Sequence, residues 1–126
     1  MSSDADKQMR IEELVSHVWM VRTFLKHSEE AEEDDELRDV YRELYDFMMA
    51  LSGSVAAEGP AAYMKMARKK FAKLRDATAH FAEIQPEISS HTNFQMAVLS
   101  LKVAVREIGQ LIATETGKPA GDSAAE

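Results

Sequence analysis

Cysteine is absent from the 126 residues, which excludes disulfides, thiolate metal sites and cysteine nucleophiles. Glycine and proline are scarce, at 5 and 3 residues, and that scarcity disfavours a turn-rich all-β fold. Positive charge is in deficit: 15 Lys and Arg stand against 22 Asp and Glu, a net charge of −7. That is the wrong balance for a general nucleic-acid binder. Long apolar runs are missing too, with nothing approaching ~18 consecutive apolar residues, so no membrane-spanning helix is expected. Also missing are a Gly-x-Ser-x-Gly elbow, a phosphate-binding glycine loop and an HExxH pair, the signatures of common hydrolases and metalloproteases. The leading residues Met1-Ser2-Ser3-Asp4-Ala5-Asp6 are polar and acidic, unlike a signal or transit peptide, and cytoplasmic residence is the expectation.

What is present suits one folded domain. Hydrophobic residues make up 45% and charged residues 29%, and a chain of this length buries about two-thirds of its surface. The apolar residues recur at helical spacing in four segments. Ile11, Leu14, Val15, Val18, Val21 and Leu25 fall in a stripe about 120° wide. Leu37, Val40, Tyr41, Leu44, Phe47, Met48 and Leu51 form the second and cleanest stripe. Asp34, Asp35 and Glu36 precede it as capping and dipole-matched acids, and Ser52-Gly53-Ser54 ends it. Gly59-Pro60 opens the third segment, whose stripe is Tyr63, Ala67, Phe71, Leu74, Thr78, Phe81 and Ala82, and Pro86 is expected to stop it after Gln85. The fourth begins at Thr92-Asn93-Phe94-Gln95, which reads as a capping box between Thr92 and Gln95. Its seam is Phe94, Val98, Leu101, Val105, Ile108 and Ile112.

Short connections favour antiparallel neighbours, so the expected fold is all-α, an antiparallel up-down-up-down four-helix bundle over residues 1–116. Paired helical hairpins with a rearranged topology are the alternative. Residues 117–126 hold two glycines, a proline and no large apolar side chain, and are expected to form a flexible tail.

The first and fourth segments hold more apolar side chains than one stripe needs. Met96, Leu99 and Val103 lie at i, i+3, i+7 away from the seam, and Trp19, Met20 and Phe24 lie outside the first stripe. An amphipathic helix at the surface of a monomer is polar there. These six residues therefore form the expected interface, and a two-fold homodimer is the commonest outcome of such a surplus.

The charges are also uneven. Every residue from Glu29 to Glu36 except Ala31 is acidic, whereas Lys65, Arg68, Lys69, Lys70, Lys73 and Arg75 crowd the third segment. Mutual compensation across neighbouring helices is the expected arrangement, and the acid run lacks the spacing of an EF-hand loop.

Three weaker constellations bear on catalysis. A carboxylate precedes a histidine by four residues at Glu13/His17, Asp76/His80 and Glu87/His91. That spacing places both groups on one helical face, but inward-facing ligands are what a bundle metal site requires, and His17 comes nearest to that. Glu29-x-x-Glu32 and Glu43-x-x-Asp46 resemble the paired ExxE and ExxD motifs with which all-α nucleotide pyrophosphohydrolases hold magnesium. That resemblance implies a small, oligomeric, magnesium-dependent hydrolase, although the two motifs stand closer together here than in that family. The run Ser16-His17 to Arg22-Thr23-Phe24-Leu25 is similar to the histidine box of histidine-kinase dimerisation domains. Two extra residues turn Arg22 and Thr23 by about 200° relative to His17 and break the equivalence. The reading from sequence is a non-enzymatic interaction or scaffold module without a cofactor, self-associating or binding a protein partner, with no nucleic acid and no membrane.

Overall fold

The computed structural model describes residues 3–113, which form helices joined by short turns, with no strand among them. Four long helices, α1 (Asp4–Lys26), α3 (Asp35–Ala50), α5 (Pro60–Ile88) and α6 (Thr92–Ala113), surround one core. Two short ones, α2 (Glu29–Glu33) and α4 (Ser54–Glu58), lie in the connections. α1 packs against α3 and α6, α5 packs against the same two, and α1 also touches α5. The expected tail at 117–126, and residues 114–116 of the expected bundle, lie outside the described residues.

Each boundary has a local cause. α1 begins with a capping box: the Asp6 N–H donates to Ser3 Oγ at 3.1 Å and the Ser3 N–H donates to Asp6 Oδ2 at 3.4 Å, which satisfies amides that the first turn leaves open. Its buried stripe is Lys7, Ile11, Leu14, Val18, Val21 and Leu25, one turn longer than the apolar pattern alone. α3 is capped by Asp34, whose Oδ1 accepts the Leu37 N–H at 2.9 Å. Two helix breaks use backbone angles that glycine tolerates, φ +64° at Gly53 and φ +113° at Gly59.

The acid run is folded rather than extended. Ala31 is its one buried residue and seats α2 on the core. Arg38 then ties it down: its Nη1 donates to the carbonyls of Ala31 at 2.7 Å and Glu32 at 3.0 Å, and the guanidinium also pairs with Asp35. These carbonyls belong to the end of a helix and have no partner inside it.

Two sequence expectations are corrected. Pro86 does not stop α5, which continues to Ile88. Pro86 itself is exposed, while Ile84 and Gln85 are buried and Ile88 packs on the core. Gln85 closes the end through its backbone carbonyl, which accepts the Ser89 N–H at 3.0 Å, and through its side chain, which donates to the Ser89 carbonyl at 2.7 Å. Burial of that last turn outweighs one missing hydrogen bond. Thr92 and Gln95 likewise form no capping box. α6 starts at Thr92 itself, so His91 takes the capping position: its Nδ1 accepts the Asn93 N–H at 3.0 Å, and the Gln95 side chain reaches back to the Ser90 carbonyl at 2.8 Å.

The core is continuous through all four long helices, with Ile11, Leu25, Leu37, Leu44, Tyr63 and Phe81 among its fully buried side chains. Burial, and secondarily the charge of Glu12, pushes the Tyr63 hydroxyl above its usual titration range. α5 and α6 meet closely where the Phe71 ring lies over Gly109; a Cβ added there would stand 2.9 Å from Phe71 Cζ. Arg68 Nε donates to the Ile112 carbonyl at 3.0 Å in the last turn of α6. No helix among the described residues is long and apolar enough to cross a membrane.

Gly59 carries φ +113° and ψ 174°, a region nearly closed to side-chain-bearing residues. Gly59→Ala is expected to cost about 1–3 kcal/mol, read as a lowered midpoint in thermal unfolding followed by circular dichroism. The space around its Cα is open, so an unchanged midpoint would mean that the backbone, rather than packing, relaxes there.

Candidate interaction surfaces

One residue turns a helix by about 100°, so consecutive residues of α1 face different neighbours. Val18 points into the core, Met20 lies toward α6, and Trp19 lies toward α3. The structure therefore divides the six residues expected to form one interface.

Five of them gather along the α1/α6 seam. One groove is lined by Met20, Phe24, Asn93, Met96 and Ser100. A second is lined by Arg10, His17, Met96, Leu99, Ser100 and Val103. Met96 and Ser100 belong to both, so the grooves join into one strip. Met20, Met96, Leu99 and Val103 are 66%, 51%, 52% and 49% exposed. Phe24 is half-buried and meets buried Phe94 edge-on with centroids 4.9 Å apart.

A polar frame closes one end of the strip. Arg10 pairs with Glu107 across the two helices and with Glu13 at 3.0 Å along its own. His17 Nδ1 lies 3.3 Å from Ser100 Oγ. The hydrogen bond from Arg10 holds the Glu107 carboxyl below the usual carboxylate range, and bonds to Glu107 and Glu13 push the Arg10 guanidinium higher still.

Trp19 stands apart from this strip. It shares the α1/α3 flank with Arg22 and Tyr45, the Arg22 Cζ lying 5.2 Å from the centroid of Trp19 and 4.5 Å from that of Tyr45. The sequence reading gave Tyr45 no role and treated Arg22 only within the histidine-box resemblance, so it missed this cluster. An aromatic residue one position off a buried stripe, opposite an arginine on the preceding helix, was the available signal.

In the carboxylate–histidine pairs each histidine takes a different partner, although Asp76 and His80 line one groove with Asp39 and Glu43. Glu13 serves Arg10, and His17 meets Ser100 instead. His80 Nε2 reaches across to Glu36 on α3 at 2.9 Å, while Asp76 neighbours Arg75 at 3.3 Å. His91 caps α6. Glu29 and Glu32 lie on α2, whereas Glu43 and Asp46 line a groove with Lys70 and Lys73. Among the described residues no three of His, Asp and Glu converge closely enough to hold a metal ion. His17 and Arg22 point to opposite seams, and the Thr23 hydroxyl is buried, which does not reproduce a phosphotransfer face.

Compared with protein families, with curated proteins and with solved structures, the chain matches none of them.

Because its pKa is lowered on folding, Glu107 adds stability that is complete above the unfolded carboxylate range, about pH 4.3, and is lost as acid protonates it through its lower folded value. Glu107→Gln is expected to lower the thermal midpoint at neutral pH. Repeating the melts down to strongly acidic pH should close the gap between variant and parent; a gap independent of pH would refute the ion-pair origin.

Proposed function

We propose that the protein is a non-enzymatic interaction module, an antiparallel up-down-up-down four-helix bundle that pairs with a second copy of itself through α1 and α6. The packing order supports the topology: each long helix lies against the next in the chain, and the last returns to the first. One observation carries the pairing. Met20, Met96, Leu99 and Val103 stand about half exposed or more along a single apolar strip.

The spacing of that strip favours a second copy as its occupant. His17, Met20 and Phe24 on α1, and Met96, Leu99 and Val103 on α6, each advance by three and then four residues. That is the step of a helical seam whose knobs fit the holes of a like helix. The Arg10–Glu107 pair and Asn93 frame the apolar centre, as polar rims frame interface cores. The same patch on both copies closes into a two-fold pair rather than a chain. This reading includes cytoplasmic residence and a protein surface, rather than nucleic acid or lipid, as the partner; the net charge of −7 supports the exclusion of nucleic acid.

At about 50 µM, within the range of micromolar self-association, light scattering after size exclusion is expected to give twice the chain mass. The Leu99→Glu/Val103→Glu double variant is expected to weaken pairing by about 100-fold. Its folding stability should change little, because both side chains already meet solvent. A parent chain that runs at single mass, or a double variant that pairs as tightly as the parent, overturns the reading.

A further inference from the structure

The α1/α3 flank holds a cluster that the α1/α6 strip does not use. The Arg22 guanidinium lies between two aromatic rings, 5.2 Å from the Trp19 centroid and 4.5 Å from that of Tyr45. Both rings remain open to solvent, at 44% and 37%. The Arg22 Nε is covered and has no hydrogen-bond partner, and neither has the neighbouring Thr23 Oγ1. No carboxylate among the described residues forms an ion pair with Arg22.

In an acidic protein this flank gathers cations around the two rings. Lys26 stands one turn beyond Arg22, and Arg42 one turn before Tyr45, so both share the flank. Part of the acid of α3 turns the other way: Glu36 pairs with His80 of α5, and Glu43 lines the α3/α5 groove beside Lys73. Carboxylates border the flank at its ends: the acids of α2 and Asp35 stand in the α1–α3 connection beyond Lys26, and Asp35 pairs with Arg38. Asp39 lies 3.7 Å from Arg42, and Glu12 sits about 10 Å along α1 from Trp19, at the far end.

A free arginine on a surface is no site, because water satisfies it from every side. Here both rings lie against the guanidinium and its Nε is covered without a hydrogen-bond partner, so the group is partly withdrawn from water while its hydrogen-bonding capacity is unused. A planar fork held this way matches a carboxylate in two hydrogen bonds. The flanking rings offer flat apolar area to the rest of the same segment, and Trp, Tyr and Arg are the side chains that dominate interface energies.

We propose that Trp19, Arg22 and Tyr45 form a docking site for an acidic segment of a partner protein. Arg22 receives a carboxylate at its Nη edge, the rings cover the adjoining apolar side chain, and Lys26 and Arg42 raise the encounter rate. This site is independent of the α1/α6 pairing and stands on the opposite flank of α1.

Trp19 is the one tryptophan of the chain, so its fluorescence reports on the site directly. The full-length protein is titrated with the blocked peptide Glu-Leu-Glu-Glu-Leu-Glu, followed by Trp19 emission and, independently, by calorimetry. Saturable binding is expected, weakening steeply as salt rises from about 50 mM to about 500 mM, and absent for the peptide with Gln in place of Glu. Arg22→Gln is expected to weaken binding by about tenfold or more, and Tyr45→Leu by about threefold. Should Arg22→Gln lose its helical signal, Arg22→Lys carries the test, since it keeps the charge and removes the fork; affinity equal to the parent overturns the proposal. So does absence of binding by both methods, or equal binding by Arg22→Gln. Competition by inorganic phosphate at matching affinity would reduce the cluster to a bare anion site and overturn a peptide-docking role. Trp19 emission that changes on concentrating the protein alone, and no longer does so in Arg22→Gln, would give the site to a second copy instead.

Discussion

A helix in a bundle of four has one inward stripe, and α1 fills that stripe completely with Lys7, Ile11, Leu14, Val18, Val21 and Leu25. Every functional feature described above depends on that anchoring. Because Val18 is fixed inward, the helical turn of about 100° per residue sends Trp19 toward α3 and Met20 toward α6. Two residues adjacent in the chain thus serve seams of different chemistry, one aromatic and cationic, the other aliphatic and methionine-rich. Methionine suits a surface that must adapt to a partner, since its thioether chain rotates at little cost.

The charges are sorted by the same geometry. α3 is acidic along its α5 side, where Lys70, Lys73 and His80 stand across the groove from Glu36, Asp39, Glu43 and Asp46. Pairs of this exposed kind contribute ~0–1 kcal/mol each. Their larger effect is to neutralise the α5 side of the helix locally. The acid run before α3 has a separate fate: Arg38 binds the carbonyls that end α2 and holds the run against the body of the molecule.

The long helices were legible because burial drives them and burial has a period. Leu37, Val40, Leu44, Phe47 and Met48 are where the spacing puts them, and Gly53 carries the positive φ expected of a glycine after a helix. Short-range signals did worse where packing overruled them. Pro86 reads as a stop, yet Ile84 and Ile88 keep the chain helical around it; Thr92 and Gln95 spell a capping box, yet His91 takes the cap. Spacing along one helix reported which acids and histidines share a face, but not which partner faces them, so His80 with Glu36 and His17 with Ser100 were invisible before the helices were assembled. The surplus apolar residues were visible as a set. Their division into two flanks was not, since it depends on which neighbour lies on each side of α1.

The eight methionines of the chain allow the central claim to be read in one experiment. In a methyl-labelled sample, Met9, Met20, Met49 and Met96 are all exposed, while Met48 and Met64 are buried. If α1 and α6 present a self-associating strip, the Met20 and Met96 methyl resonances shift together as protein concentration rises, and those of Met9, Met49, Met48 and Met64 stay in place. Shifts spread evenly over all exposed methionines, or none at any concentration, would contradict the account.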